Sequence, residues 1–355
     1  MSLRALGWSP FFEEAFAPFA KDGLSAARVA VQHRGGYEIW TAEGILTADV
    51  SGRFRHQTLI ASDYPAVGDW VAIETIAGES RALIQAILPR RTKFSRNAAG
   101  DATEEQIVAT NIDGVFIIES LPAPPNLRRI ERFLTLAWES GTIPTVILNK
   151  ADLCQDIQAA VTAASAVTKE ATVLAISCID GQGLAAIKKR LRKGRTVALL
   201  GPSGVGKSTL INRLAGEESQ HVIPVRESDQ KGRHTTTTRE MVFLPGGSVI
   251  IDTPGLRELQ LWEGAEGLGA AFSDIERIGA RCRFTNCRHE KEPGCAVRQA
   301  VEEGVLDATR LAGFHKLRAE VVQSGQRRDV RTRADEQRRA RNITRSLRGQ
   351  RIEEE

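Results

Sequence analysis

The sequence predicts a multidomain α/β protein: a small N-terminal β-barrel of OB type, a doubly wound sheet domain and a C-terminal helical module around a cluster of cysteines. Three observations carry that prediction. Short β-like runs separated by turn signals fill residues 27–97. From there to about residue 270, strand and helix patterns alternate, the mark of a mainly parallel sheet. Beyond it strand patterns vanish, and Cys282, Cys287 and Cys295 crowd together with His289. The expected divisions are a lead-in at 1–26, the barrel at 27–97, the sheet domain at 98–270, the cysteine module at 271–325 and a tail at 326–355.

At 355 residues the chain is long enough for two or three cores. Hydrophobic residues at 42% and charged residues at 26% exclude a wholly disordered, collagen-like or polytopic membrane protein. No apolar run approaches the roughly 18–20 residues that span a bilayer. The aromatic N-terminus is interrupted by Glu13 and Glu14, unlike a signal peptide, so a cytoplasmic location is expected. An odd total of five cysteines in such a chain favours metal ligation over a disulfide framework.

The barrel reading rests on the runs 28–32, 36–41, 44–50, 69–74 and 82–88, with turns such as Ala66-Val67-Gly68-Asp69 between them. Residues 1–25 suggest a short amphipathic segment without chemistry of its own, and 98–111 a polar linker or loop. The sheet domain then predicts strands at 115–119, 144–148, 172–176, 196–200, 241–244 and 249–252. Helices are expected at 128–140, 156–168, 183–192 and 207–214.

Chemistry concentrates after the strand at 196–200. Gly201, Pro202, Ser203, Gly204, Val205, Gly206, Lys207 and Ser208 fit the phosphate-binding loop and open a helix, the context that motif requires. Glycines let backbone N–H groups turn inward on phosphate, and the helix N-terminus adds partial positive charge. Lys207 can reach the β- and γ-phosphates, and the Ser208 hydroxyl can ligate Mg²⁺. Asn149, Lys150, Ala151 and Asp152 follow another strand. A carboxylate there accepts from guanine N1–H and its 2-amino group, and is left unpaired against adenine. Ser177-Cys178, after the strand at 172–176, can offer a backbone amide to guanine. Asp252-Thr253-Pro254-Gly255 closes a fourth strand, with Asp252 suited to the Mg²⁺ shell and the Gly255 N–H to a γ-phosphate. Between them lie Arg233, His234 and the run Thr235–Thr238, where Thr236, or failing it Thr237, would complete the Mg²⁺ shell as a switch does.

The order is shuffled. An ordinary GTPase starts with the phosphate loop and ends near Asn-Lys-x-Asp. Here Asn149–Asp152 and Ser177 precede Gly201–Ser208 and Asp252–Gly255, so the predicted fold is a circularly permuted P-loop GTPase domain. No glutamine directly follows Gly255, where a water-orienting group often stands. His234 and Arg233 are candidates for orienting water and neutralising transition-state charge, and equally for structural or RNA-contacting roles.

Cys282, Cys287, His289 and Cys295, spaced Cys-x4-Cys-x-His-x5-Cys, offer three thiolates and an imidazole, a closed tetrahedral set suited to structural Zn²⁺. The barrel carries Arg53, Arg55, Arg90, Arg91, Lys93 and Arg96 near Trp40, Phe54 and Phe94, a mixture suited to RNA unless the aromatics are core. Residues 326–351 hold ten Arg against three acidic residues, which points to a polyanionic partner or a solvated charged helix.

The permuted order, the loop Gly201–Thr209, the segment Gly232-Arg233-His234-Thr235-Thr236 and Asp252–Gly255, between a small barrel and a cysteine module, resemble the RsgA/YjeQ family of ribosome-biogenesis GTPases. That resemblance implies a bacterial GTPase acting late in small-subunit maturation, stimulated by that subunit, with zinc at the same four residues. It implies small-subunit rRNA and GTP/GDP as partners, no membrane, and a monomer is expected. The rivals are an RNA-binding chaperone with a vestigial nucleotide site, or a permuted GTPase acting on the large subunit or a tRNA.

Overall fold

The structure, a computed structural model, describes residues 2–33, 35–58, 60–98, 101–168, 170–216, 239–252 and 265–323. After helix α1 (Pro10–Lys21) come β1 (Ser25–Gln32), β2 (Tyr37–Trp40), β3 (Ile45–Val50), α2 (Gly52–Gln57), β4 (Trp70–Thr75) and β5 (Arg81–Ile87). The strand order is β1-β2-β3-β5-β4, and β4 pairs back onto β1, so the sheet closes. β3 and β5 run parallel and the other pairs antiparallel. This is the five-stranded Greek-key barrel of an OB fold, and closure removes its exposed edges. Alternate residues point inward because the strand period is two, so Val29, Ile39, Val71, Ile73 and Ile84 fill the interior.

Two stretches differ from the sequence expectation. The lead-in is structural: Leu6 and Phe12 are buried, and Trp8 packs edge-on against Trp70 at 4.7 Å. Residues 98–111 are not a linker. β7 (Asp101–Thr110) pairs antiparallel with β6 (Lys93–Ala98). Glu105 hides the strand pattern in the sequence, yet it is buried against Lys93 at 3.3 Å, while Ile107, Val108 and Ala109 face the core.

The doubly wound domain contains β8 (Gly114–Ser120), α3 (Leu127–Glu139), β9 (Ile143–Asn149), α4 (Ile157–Thr168), β10 (Thr172–Ala175), α5 (Leu184–Arg190), β11 (Thr196–Leu200), α6 (Lys207–Ala215), β12 (Arg239–Phe243) and β13 (Val249–Asp252). The sheet order is β10-β9-β8-β11-β13-β12, parallel except for β12. Both faces are covered. Val115, Ile117, Ala198, Leu200 and Ile251 enter one core with α3 and α4, while Phe116, Ile118, Val197, Leu199 and Ile250 enter the other with α5 and α6.

Barrel and domain share one sheet, because β12 also pairs with β1 through Val31↔Glu240 and Gln32↔Arg239. Arg28 reinforces the junction. Its buried guanidinium donates to the Leu6 and Gly68 carbonyls, to Thr196 Oγ1 at 2.7 Å and to the Asn111 carbonyl at 3.0 Å. Burial pulls Arg28 down to about 10, with Asp113 and Asp69 opposing, so it stays charged at neutral pH.

The C-terminal part is helical: α7 (Ala265–Ala271), α8 (Ser273–Gly279), α9 (Ala296–Glu302) and α10 (308–323). Arg310 of α10 locks it to the sheet domain. It bonds Glu131 of α3 at 2.7 Å, Asp274 of α8 at 2.9 Å and the Ala271 carbonyl at 2.8 Å, and stacks on Phe272 at 4.3 Å. Removing one partner of a buried ion network leaves uncompensated charge, at a cost of about 3–5 kcal/mol. Arg310→Ala is therefore expected to lower the unfolding free energy by that amount, read from urea titrations followed by circular dichroism. A loss of less than about 1 kcal/mol would mean that the network contributes little. Among the described residues no helix is long and apolar enough to cross a membrane.

Candidate nucleotide site and metal centre

Parallel pairing puts the C-terminal ends of β9, β10, β11 and β13 at one sheet edge, where ligands of α/β folds bind. The loop after β11 starts at Gly201 and turns through Gly204 (φ +80°) and Gly206 (φ +96°) into α6. Glycine is required at two points. A Cβ at Gly206 would lie 2.4 Å from Asn149 Nδ2, and one at Gly201 2.5 Å from the Ile118 carbonyl. Lys207 Nζ donates to the Gly201 and Pro202 carbonyls, both at 2.8 Å. Ser208 and Thr209 stand exposed on the first turn of α6, beside Pro202, Ser203 and Val205 of the loop.

The loop after β9 is bonded directly to this one. Asn149 Nδ2 donates to the Val205 carbonyl and Lys150 Nζ to the Gly204 carbonyl, each at 2.8 Å. Lys150 adopts φ +63°, which turns the chain into the short helical turn of Ala151 and exposed Asp152. The Ala151 N–H is tied to the Ile176 carbonyl at 3.0 Å, bringing in the loop after β10. There the buried Ser177 hydroxyl accepts from the N–H groups of Ile179 and Asp180. Asp252 ends β13. Burial raises its carboxyl above the usual range, and the Lys207 ammonium partly offsets this. Thr236, Arg233, His234 and Gly255 lie outside the described residues.

Sequence reasoning gave Cys178 only a backbone role here and missed Arg213. The buried Cys178 thiol donates to Asn149 Oδ1 at 3.4 Å, and Arg213 of α6 holds the Cys178 and Ile179 carbonyls at 2.7 and 2.5 Å. A cysteine and a helix arginine thus brace the loops after β9 and β10 and helix α6. Neither side chain fits a motif, so only the fold reveals these bonds.

Cys282, Cys287, His289 and Cys295 converge, their ligand atoms all within 4.8 Å of one another. His289 Nδ1 lies 3.6 Å from Cys282 Sγ and 3.4 Å from Cys295 Sγ, and those two sulfurs are 4.0 Å apart. Metal–ligand lengths of about 2.3 Å to sulfur and 2.0–2.1 Å to nitrogen give tetrahedral edges of about 3.8 and 3.6 Å, so the donor set fits a four-coordinate ion. Cys295 also caps α9, its sulfur accepting from the Arg298 N–H at 3.4 Å. Burial, aided by Arg318, lowers His289 and keeps the imidazole neutral, the ligating form. Glu292, unnoticed in the sequence, shapes the loop by accepting from the N–H groups of Arg288, Glu290 and Lys291.

The barrel's expected RNA-contacting mixture is largely corrected. Trp40 and Phe94 are core side chains, 6% and 4% exposed, so they offer no face to a base. Arg90 is bound to Asp69 at 2.7 Å and to the Ser62 and Tyr64 carbonyls. Arg91 pairs with Asp113 at 2.7 Å, and Lys93 with Glu105. Hydrophobic burial and long-range pairing claimed them. Arg53 and Arg55 of α2 remain exposed, with Phe54 half-buried between them. The Arg96 side chain and the tail at 326–355 lie outside the described residues.

A phosphate loop braced by a guanine-type loop, in permuted order on a doubly wound sheet flanked by an OB barrel and a Cys3His centre, defines a circularly permuted P-loop GTPase. A family model described as RsgA GTPase matches residues 87–262. The chain is 48% identical over 348 residues to the small ribosomal subunit biogenesis GTPase RsgA of Opitutus terrae, covering 95% of each, and it belongs to the RsgA family. Its structure is similar to that of YjeQ from Thermotoga maritima, with a TM-score of 0.63 and 25% identity over 84% of this chain and 99% of that one. The fold is likewise similar to that of YloQ, described as a circularly permuted GTPase, at TM-score 0.60 and 23% identity over 84% and 96%. The chain is a GTP-hydrolysing enzyme.

Proposed function

We propose that this GTPase acts in the cytoplasm, as a monomer, on the maturing small ribosomal subunit, binding its rRNA and leaving after hydrolysis. The carrying observation is the bracing of Gly204 and Val205 by Asn149 and Lys150, supported by the relative from Opitutus terrae named for small-subunit biogenesis. In this reading Asp152 accepts from guanine, Asn149 ties base loop to phosphate loop, and the Cys178 amide serves the base edge. Lys207 and the N–H groups of the loop, other than Pro202, would hold the phosphates. Ser208, Thr236 and Asp252 would hold Mg²⁺ directly or through water, and the Gly255 N–H would serve the γ-phosphate. Mg²⁺, when bound, neutralises charge on the transferring phosphoryl group. Cys282, Cys287, His289 and Cys295 would hold a structural Zn²⁺, since their four donors make a closed set that would leave no position for substrate. Arg53, Arg55 and the tail contact rRNA phosphate.

Multiple-turnover hydrolysis with and without separated subunits tests the proposal. Slow turnover alone and strong acceleration by small subunits are expected. Acceleration by large subunits only would overturn it. His234→Ala is expected to abolish the stimulated rate and leave GTP affinity within about twofold. Unchanged stimulated turnover would remove His234 from the mechanism.

A further inference from the structure

Helix α6 does more than open from the phosphate loop. Arg213 stands six residues after Lys207, about 9 Å further along the helix. Its side chain crosses to the turn after β10, where Nε donates to the Cys178 carbonyl at 2.7 Å and Nη2 to the Ile179 carbonyl at 2.5 Å. Both bonds leave one rigid, planar group and reach successive peptide units, so they fix an orientation as well as a distance.

The turn that Arg213 grips keeps one donor free. The Ser177 N–H meets the Gln182 carbonyl, those of Ile179 and Asp180 meet the Ser177 hydroxyl, and those of Gly181 and Gln182 meet the Ser177 carbonyl and Asp180 Oδ1. Among the described residues, the Cys178 N–H alone in this turn has no partner. The peptide unit that bears it is held at its other end, because the Ser177 carbonyl accepts from Gly181 at 3.1 Å. Arg213 holds the next two units. A donor fixed from both sides has little freedom left to lose when an acceptor arrives. Guanine presents an acceptor at O6, where adenine presents an amino group. A fixed N–H therefore gains a bond from guanine and faces a second donor on adenine.

The thiol of the same residue ties this turn to the rest of the site. Cys178 Sγ donates to Asn149 Oδ1 at 3.4 Å, which leaves Asn149 Nδ2 for the Val205 carbonyl at 2.8 Å. Burial holds the thiol above its ordinary range, so it stays a donor at neutral pH. Cys178 thus answers through its main chain to α6 and through its side chain to the loop after β9.

We propose that Arg213, assisted by the Cys178 thiol, is a positioning residue that fixes the Cys178 N–H against guanine O6 and so sets the preference for guanine over bases without a 6-oxo group. The inference rests on the reading that the loops after β9 and β10 hold guanine. Because α6 also begins with Lys207, the same arginine keeps the base and phosphate subsites at one spacing.

Calorimetry of the full chain with GDP, and with the 5′-diphosphate of 2-aminopurine riboside, tests it. The second ligand keeps the 2-amino group for Asp152 and lacks the 6-oxo group. Arg213→Ala is expected to weaken GDP about tenfold, the size of one net hydrogen bond, and the analogue by less than about twofold. Arg213→Lys keeps the charge but cannot span two carbonyls, so it should recover only part of the loss. Cys178→Ala should also weaken GDP, and Cys178→Ser, which can donate to Asn149, should restore it. Equal losses of both ligands in Arg213→Ala would reduce the arginine to general packing and overturn the proposal. Asp152→Asn separates this inference from the reading beneath it. If that substitution weakens GDP while Arg213→Ala binds it like the wild type, the loops hold guanine and only the role of Arg213 falls. If GDP binding survives both substitutions, the guanine reading falls as well.

Discussion

Lys207→Ala is expected to lower kcat/KM for GTP by a factor on the order of 10³ or more. A single neutral donor to a developing oxyanion is worth about 10²–10³ in rate, and an ammonium facing the β- and γ-phosphates acts on more charge. The local structure sharpens the expectation. Lys207 Nζ is held at 2.8 Å by both the Gly201 and Pro202 carbonyls, so the lysine is threaded back across its own loop. It is also the cation that opposes burial at Asp252. Without it the Asp252 carboxyl rises further, and at a given pH less of it is ionised to hold the Mg²⁺ shell. The variant should therefore lose activity most at the acidic end of the pH range. Lys207 is only partly buried, so the melting temperature should move little. Single-turnover hydrolysis across pH 6–9, with a melting curve for each variant, provides the check. A loss below tenfold at every pH would remove Lys207 from its assigned role.

The second large effect is expected at the Cys3His centre. Stripping the metal with a chelator, or Cys295→Ser, should melt residues 280–295 together with the start of α9. Structural zinc contributes apparent binding free energies of about 10–16 kcal/mol in small metal-folded domains, far more than surface bonds such as that of Arg318 to the Arg288 carbonyl at 3.2 Å. Its backbone depends on the ligands: His289 sits at φ +62°, and Cys295 is both ligand and helix cap. The Glu292 bonds lie on exposed surface and cannot replace the ion. The melting should stop at Arg310, whose bonds to Glu131 and Asp274 do not involve the cluster. Hydrogen exchange should thus show protection lost at 280–298 and kept in α8 and α10. Uniform protection in metal-free protein would mean that packing alone holds the loop.

What could be read in advance follows from where the information resides. The phosphate loop, Asn149–Asp152 and the cysteine spacing depend on local backbone chemistry. Glycine at positions 201 and 206, a lysine at a helix start and thiols at fixed intervals announce themselves in any fold. Period-two and helical patterns likewise exposed the barrel and the alternating sheet domain. The strand β7 was misread because Glu105 breaks its pattern, and the partner that makes its burial tolerable, Lys93, lies elsewhere in the chain. The surroundings of the barrel's cations and rings are hidden for the same reason. Whether Arg90 faces RNA or Asp69, and whether Trp40 faces a base or Phe243 at 6.4 Å, is settled by residues distant in sequence.

The sequence by itself determined the GTPase class, the shuffled order of its loops and a Cys3His set that could hold a metal, because short-range geometry dictates each of them. Only the tertiary structure decided that β12 joins barrel and GTPase sheet into one, that Arg28 and Arg310 clamp the three parts together, and that Cys178 and Arg213 brace the base loop. Those contacts depend on which distant surfaces bury each other. That is set by the summed packing of the whole chain rather than by any local pattern.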